Sequence, residues 1–249
     1  MRYESKSFAV IPARGGSKGV TRKNLRLLGE TPLVELAVNY GLQNEAFEKV
    51  LLTTEDSEIA NLFTSSQKFQ NCEDNGIFQV NDKLHIHKRR QDEAKDLSPI
   101  RLTLQSILNS AFLSSYKYLM LLQPSSPFRF MGEVEEILKI AEKSSFTSIV
   151  SVRDATSNHP ERMFKQDQQH NHLVPYIQTK LGDNPPRQLL DKVYIKDGAF
   201  YFLRTDFIGS NQFLGDKIAP YDRTRLPCVN IDSEDDMLMA ELLSRHLNK

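Results

Sequence analysis

Short apolar segments alternate with amphipathic segments along the first 150 residues of the chain. The apolar runs have the length of strands, and the segments between them carry apolar residues at helical spacing. This alternation predicts an α/β fold, with a mostly parallel sheet and helices on both of its faces. The predicted strands are 8–11, 49–54, 77–80, a short one around Ile86, 118–123 (the central one), 148–152 and 198–203, and the predicted helices are 32–42, 56–63, 99–112, 132–141 and a terminal helix from Ser233.

Two segments interrupt this pattern. Residues 65–83 are polar and predict an irregular surface loop that contains the short strand 77–80. Residues 153–193 have little regular period and are too long for an idle loop in a compact domain, so they predict a lid or an arm that packs on another subunit. We therefore treat residues 1–249 as a single domain with 153–193 as an inserted arm.

The first predicted strand runs directly into a loop rich in glycine and in cations. Residues 12–24 contain three glycines, two arginines and two lysines. Glycines let the backbone approach a ligand closely, and the cations favour an anionic ligand. The segment predicts a polyphosphate cradle at the carboxyl edge of the sheet, against the alternative of a flexible basic surface loop. Its spacing matches neither the P-loop nor the dinucleotide-binding fingerprint.

The overall charge shows that any anion site must be local. Acidic and basic residues balance at 32 each, so no global field attracts nucleic acid or a membrane surface.

Cys72 and Cys228 are far apart and are expected to be free thiols in a reducing compartment. The start lacks a signal-peptide pattern and no apolar run approaches the roughly 20 residues that span a bilayer, so we expect a soluble cytoplasmic protein.

Three further segments should join the opening loop at the carboxyl edge of the sheet, where ligands of α/β proteins bind. They are 87–90, followed by Asp96; 122–129, directly after the central strand; and 230–232, just before the last helix. Together they supply cations for phosphates, an amide for a base or sugar, and a carboxylate for a divalent ion. This combination points to nucleotidyl transfer.

Each of these segments also has a purely structural interpretation. Residues 88–90 are typical of a solvated basic turn, and Gln123 of a side chain that satisfies backbone groups at a strand end. Asp232 could cap the last helix, a role for which Ser233 competes with Asp236 as its partner three residues later.

Two histidine pairs have the spacing of one strand face. His85 is followed by His87, and His170 by His172. We find no cysteine or carboxylate at a metal-like interval from either pair, which argues against a zinc site.

Five motifs occur in order along the chain: IPARGGSKG, followed by RKN, then LLQPSSPFR, GAFYF and NIDSEDD. Together they resemble the acylneuraminate cytidylyltransferase (CMP-N-acetylneuraminate synthetase) family, which includes the pseudaminate and legionaminate cytidylyltransferases. The resemblance covers most of the chain. It implies a Rossmann-like nucleotidyltransferase sheet with a dimerisation arm at 153–193. It also implies a homodimer that uses CTP, Mg²⁺ and a nine-carbon 2-keto sugar acid to make a CMP-sugar and pyrophosphate.

The same resemblance implies roles for individual residues. Arg14, Lys23 and Asp232 would be catalytic, with Asp232 as the magnesium ligand. Gln123, Ser125 and Arg187 would contact the sugar acid. The nucleotide would be bound by Ala13, Arg14, Gly15, Ser17, Lys23, Asn24 and Arg89.

The chain departs from the family pattern at four positions. Asn230 stands where the family often has the first aspartate of an Asp-x-Asp pair, which removes one anionic metal ligand. Glu55 replaces an aspartate, Arg90 a proline, and Asp197 an asparagine. Two alternatives therefore stay open: a catalytically altered paralogue that binds nucleotide, and a nucleotidyltransferase that uses another nucleoside triphosphate or sugar.

Overall fold

The computed structural model describes residues 7–17, 19–94, 98–110, 115–177, 182, 185–208 and 213–247. The strands are β1 Ser7–Pro12, β2 Leu27–Leu28, β3 Thr31–Pro32, β4 Lys49–Thr54, β5 Ile77–Gln79, β6 Leu84–Lys88, β7 Tyr118–Leu121, β8 Ser148–Asp154, β9 Phe164–Asp167, β10 His172–Pro175, β11 Tyr194–Arg204 and β12 Ile218–Asp222. The helices are α1 Leu33–Gln43, α2 Ser57–Asn61, α3 Ser66–Gln70, α4 Ile100–Leu108, α5 Glu133–Glu142 and α6 Glu234–Leu247.

One sheet of eight strands forms the centre, in the order β12-β8-β11-β7-β1-β4-β6-β5. The pairs β7–β1, β1–β4, β4–β6 and β8–β12 are parallel, while β11 runs antiparallel to both of its neighbours and β5 to β6. Four parallel strands in the middle therefore deliver the segments that follow them to one edge, as a ligand site in an α/β sheet requires.

Alternate residues of β1 point into two different apolar layers. Ala9 and Ile11 pack with α1, α2 and α5 on one face, and Phe8 and Val10 pack with α4 on the other. The alternation follows from the two-residue period of a strand, and the almost continuous apolar run follows from burial on both faces. The predicted α/β class with helices on both faces is confirmed.

A smaller apolar cluster joins α6 to the opening loop. Val20 of that loop packs with Ile231, which precedes α6, and with Met237 and Ala240 of the helix, all almost completely buried. The segment before α6 is thereby held beside the loop after β1.

The arm contains a two-stranded hairpin outside the main sheet. Strands β9 and β10 pair antiparallel, with Asp167 opposite His172, and Asn171 in the turn adopts a left-handed φ of 52°. Short 3₁₀ turns flank the hairpin, so the segment holds more regular structure than its sequence indicates.

Most of the predicted elements are confirmed, with four corrections. Residues 65–83 contain the helix α3 as well as β5, β11 begins four residues before Gly198, and the strand β12 was not predicted. The predicted helix 99–112 ends at Leu108, and its last positions, 111–112, lie outside the described residues. A separate correction concerns the histidines: Asp167 lies three residues before His170 and beside it, so the expectation of no carboxylate near this pair is wrong. Within the described residues, no helix combines the length and apolar character needed to cross a bilayer.

Candidate active site

A cavity of about 270 Å³ opens at the carboxyl ends of β1, β6 and β7. Three of the four segments expected at this edge contribute to its wall, and the fourth, 230–232, contacts a lining lysine. The lining residues are Pro12, Arg14, Ser17, Lys23, Asn24, Arg89, Glu93, Ala94, Ser98, Ile100, Gln123, Pro124 and Ser125.

The opening loop, residues 12–24, is held in place by hydrogen bonds to backbone carbonyl groups. The Ala13 N–H donates to the Thr53 carbonyl at 3.0 Å, and buried Asn24 donates its side-chain amide to the Arg14 carbonyl at 2.8 Å. Gly19 must lack a side chain, because a Cβ there would lie 1.9 Å from the Asp232 carbonyl oxygen. The loop is thus a fixed wall of the cavity, and the alternative of a flexible surface loop does not hold for its described part.

Lys23 joins the opening loop to the segment before α6. Its ammonium donates to the Ile231 carbonyl at 2.6 Å and to the Asp232 carboxylate at 2.9 Å. The Asp232 side chain is 68% exposed, so this ion pair can exchange with solvent and ligands.

Glu55 links Arg89 to the same loop. One carboxylate oxygen accepts from the Gly15 N–H at 2.7 Å, and the other accepts from the Arg89 guanidinium at 3.0 Å. Arg89 is 5% exposed, and burial lowers its pKa while the Glu55 charge opposes that shift. An arginine stays protonated under these conditions, so Arg89 lies at the cavity as the cationic partner of a buried ion pair.

Arg89 also presents an unused donor. In the described part of the chain its Nε is buried without a hydrogen-bond partner. Such orphaned donors are rare in folded proteins and call for an explanation, of which a ligand that completes the bond is one.

The loop after β7 is held in place through its backbone. Arg129 donates to the Gln123 carbonyl at 2.7 Å and to the Ala199 carbonyl at 3.0 Å, and the Ile231 N–H donates to the Ser125 carbonyl at 2.8 Å. Because these contacts satisfy backbone groups, the side chains of Gln123 and Ser125 stay available at the cavity.

Gly198 lies behind these side chains at a bulge in β11. It has a φ of 80°, and a Cβ there would lie 2.5 Å from Ser126 Oγ, 3.1 Å from Asn230 Oδ1 and 3.2 Å from Gln123 Oε1. Only glycine fits this conformation and this approach without strain.

The buried pair of Arg223 and Asp197 supports that bulge. Arg223 is 1% exposed and contacts the carboxylates of Asp197 and Glu133 at 2.6 Å each. Burial opposes ionisation of Asp197, but the Ser151 hydroxyl and Arg223 outweigh it and hold the Asp197 pKa below its usual range. The aspartate that departs from the family pattern is therefore part of an ion-pair cluster.

Asn230 orients Asp232. The Asn230 amide donates to Asp232 Oδ2 at 2.6 Å, and its carbonyl oxygen lies 3.0 Å from Ser126 Oγ. Asp232 is not the cap of α6: Asp236 accepts from the Ser233 N–H at 2.9 Å and donates its own N–H to Ser233 Oγ at 3.2 Å. This reciprocal pair is a capping box, which leaves the Asp232 carboxylate free of a capping role.

Two other sequence candidates do not contribute to the described cavity wall. Arg187 lies exposed in a short turn near Asp154 and is not among the described residues that line the cavity. Asp96 lies outside the described residues. Lining residues that the sequence analysis did not single out are Glu93, Ala94, Ser98 and Ile100, which follow the basic segment after β6.

Comparisons with known proteins agree with this geometry. The chain is 24% identical over 247 residues to the N-acylneuraminate cytidylyltransferase of Escherichia coli O18:K1:H7, which is 98% of this chain and 54% of that protein. It is 29% identical over 195 residues to the CMP-N,N'-diacetyllegionaminic acid synthase of Legionella pneumophila, covering 76% of each. A family model described as cytidylyltransferase matches residues 8–73, which include the opening loop and Glu55.

The chain is therefore similar in sequence to cytidylyltransferases. It spans about half the length of several curated relatives, between 49% and 54%. Its fold also resembles a solved CMP:2-keto-3-deoxy-manno-octonic acid synthetase in complex with CTP, with a TM-score of 0.62, 14% identity and coverage of 97% of this chain and 99% of that one. The nucleotidyltransferase fold predicted from the motifs is confirmed.

Proposed function

We propose that this protein is a cytidylyltransferase, which transfers CMP from CTP to a nine-carbon 2-keto sugar acid and releases pyrophosphate. The observation that carries the proposal is that three cations, Arg14, Lys23 and Arg89, line the same cavity as the amide of Gln123. The named relatives act on N-acylneuraminate and on diacetyllegionaminic acid, which supports a sugar acid as the second substrate.

In this proposal the opening loop binds the triphosphate. Arg14, Ser17 and Lys23 contact phosphate oxygens, and the backbone of Ala13 and Gly15 shapes the loop around them. The anomeric hydroxyl oxygen of the sugar forms a bond to the α-phosphorus and gives up its proton to solvent, while the bond from the α-phosphorus to the bridging oxygen breaks and its electron pair leaves with pyrophosphate. Such a reaction depends mainly on positioning and on neutralising charge at the phosphate oxygens, which these cations supply.

The remaining lining residues recognise the two substrates. Asn24 and Arg89 face the nucleotide, and the unused Arg89 Nε donates to it. Gln123 and Ser125, which also line the cavity, contact the sugar acid. In a homodimer, the arm at 153–193 reaches the cavity of the second copy. There Arg187 binds the sugar carboxylate through its planar guanidinium.

Mg²⁺ is the divalent ion that the donor set at Asp232 fits. One exposed carboxylate, with an amide beside it, suits an ion that is usually held by one or two carboxylates and by substrate phosphates. The ion would neutralise phosphate charge there, while Asn230 keeps the carboxylate oriented. Lys23 must release Asp232 for this, and the triphosphate replaces the carboxylate as its partner.

Asn230 favours one competing function, a paralogue that binds nucleotide and turns it over poorly. The amide supplies no negative charge where a second carboxylate would strengthen the metal site. A nucleotidyltransferase for another nucleoside triphosphate or another sugar is the other competitor.

The first test is pyrophosphate release with Mg²⁺, using CTP against a panel of N-acetylneuraminate, legionaminate, pseudaminate and 3-deoxy-manno-octulosonate. We expect turnover with one of the three nine-carbon sugar acids, and none when GTP, ATP or UTP replaces CTP. Binding of CTP without turnover on any sugar would favour the altered paralogue, and turnover with another nucleotide would refute the CTP assignment.

A substitution tests the phosphate role of the opening loop. We expect Arg14→Ala to lower kcat/KM at least about tenfold, equivalent to about 1.4 kcal/mol, because a charge-assisted contact to phosphate is lost. Arg204→Ala, which removes a surface ion pair with Asp206, is the matched control and should leave kinetics unchanged. Near-wild-type kinetics in the Arg14 variant would contradict the phosphate role.

A further inference from the structure

The hairpin of the arm brings three metal-ligating side chains together. Asp167 ends β9, His172 begins β10 directly opposite it, and His170 lies in the turn between them. One donor atom from each of the three lies within 4.8 Å of the others. Opposite residues of an antiparallel pair have neighbouring Cβ atoms, so the strand pairing itself sets the first two donors side by side.

The turn holds the third donor in the same place. One oxygen of Asp167 accepts from the N–H groups of Gln169 and His170, at 2.8 and 3.2 Å. The other oxygen faces His170 Nδ1 at 3.4 Å, and the ring centroids of His170 and His172 are 5.8 Å apart. The carboxylate therefore shapes the turn with one oxygen and keeps the second directed at the imidazoles.

The cluster is open to solvent. The Asp167 and His170 side chains are 31% and 67% exposed, which gives an ion direct access from solvent.

The donor set selects the kind of ion. Two imidazoles and one carboxylate suit zinc and its first-row neighbours, whereas Mg²⁺ and Ca²⁺ prefer oxygen ligands only. Donors about 2.0–2.2 Å from a tetrahedral zinc ion lie roughly 3.3 Å from one another, so the present spacing needs only side-chain adjustment to close. Three protein ligands leave one position for water.

We propose that Asp167, His170 and His172 form a surface site for Zn²⁺ or a similar divalent transition metal, which fastens the tip of the arm hairpin. An isolated two-stranded hairpin is only marginally stable in water, so a metal that joins both strands and their turn would stabilise it. The site lies on the arm and does not depend on the proposed transferase reaction.

The test is calorimetric titration of the full chain with Zn²⁺ in a buffer that does not chelate it. We expect binding in the wild type and at least tenfold weaker binding in the double variant His170→Gln/His172→Gln. Asp167→Asn should also weaken binding, while its amide oxygen can still accept the two turn hydrogen bonds. Substitution with Co²⁺ should give a visible absorption band that the double variant lacks.

Two controls make the outcome decisive. His246→Gln removes an exposed histidine of α6 and should leave Zn²⁺ binding unchanged. Asp232→Asn should also leave it unchanged, because that carboxylate belongs to the cavity. Equal Zn²⁺ affinity in the wild type and the double variant, or loss of binding in Asp232→Asn alone, would overturn the proposal. Circular dichroism without metal should be the same for all variants, since the cluster is exposed.

Discussion

His87 shows at the scale of a single residue how burial suppresses a charge beside the cavity. It is completely buried in β6, and its Nδ1 lies 2.9 Å from Thr53 Oγ1. Burial, with a smaller contribution from the positive charge of Arg89, lowers the His87 pKa to about 4. The imidazole is therefore neutral in the folded protein at pH values where an exposed histidine would be charged.

This shift predicts a loss of stability in mild acid. In the unfolded chain His87 binds a proton near pH 6.5, so between about pH 6.5 and 4 the unfolded state binds more protons and stability falls as the pH drops. The full loss from this group is about 3 kcal/mol. Chemical denaturation across this pH range should give a shallower pH dependence for His87→Gln than for the wild type.

His246→Gln serves as the control for that experiment, because its imidazole is exposed on α6. It should retain the wild-type pH dependence of the free energy of unfolding. Identical slopes for the wild type and the His87 variant would show that this histidine is not held neutral by the fold.

At the scale of an element, the bulge in β11 contributes both to the stability of the fold and to the shape of the cavity. Gly198 allows the strand to pass close behind Gln123 and Asn230. The ion pair of Asp197 with Arg223 holds the same bulge in place. A change at this strand should therefore affect both stability and the cavity.

We expect Gly198→Ala to destabilise the protein and to lower transferase activity. A side chain at φ 80° costs about 1 kcal/mol in strain, and the added Cβ would also displace Ser126, Gln123 or Asn230. Urea denaturation and pyrophosphate release measure the two effects.

Gly132→Ala is the matched control for the bulge. Gly132 has a φ of 96°, but a Cβ there would meet nothing within 4 Å, so this variant carries the strain without the crowding. It should lose stability but keep its activity. Equal activity in both variants would mean that the bulge does not shape the site.

The elements also show which parts of the fold the sequence can predict. Strands such as β1 and β7 were predictable because burial on both faces leaves long apolar runs. Helix α3 buries only Phe69, so it has no amphipathic pattern to detect. Strand β12 contains Pro220, which argues against a strand, but an edge position tolerates it.

The site was predictable in its loops and less so in its contacts. The motifs placed Arg14, Lys23 and Arg89 in segments that do meet at one cavity. Which carboxylate pairs with which cation depends on distances between separate strands, and no local pattern encodes these. The antiparallel direction of β11 is likewise set by the long connection before it.

At the scale of the whole molecule, the arm carries a set of exposed apolar side chains. Isolated exposed apolar residues are ordinary, but several on one segment mark an interaction surface. The most exposed of these residues are Phe164 at 53%, Leu173 at 65%, Tyr176 at 59% and Leu189 at 62%.

We expect the protein to form a homodimer through this arm. Light scattering after size exclusion should give twice the mass of the 28.6 kDa chain, and Leu173→Asp with Leu189→Asp should give the monomer. The control Leu242→Asp, at an α6 position that is 52% exposed, should stay dimeric. A wild type that elutes as a monomer at micromolar concentration would rule out a stable dimer.

The ion pairs of the cavity make it resemble a loaded ion-exchange resin. Lys23 and Arg89 already hold counter-ions from their own chain, Asp232 and Glu55, so the resting cavity has little field with which to draw in anions from a distance. An incoming polyphosphate must displace a resident carboxylate. An anion that makes only one contact gains little from this exchange, whereas one that makes several contacts gains at each, so the pairing favours a triphosphate over the simple anions that surround it.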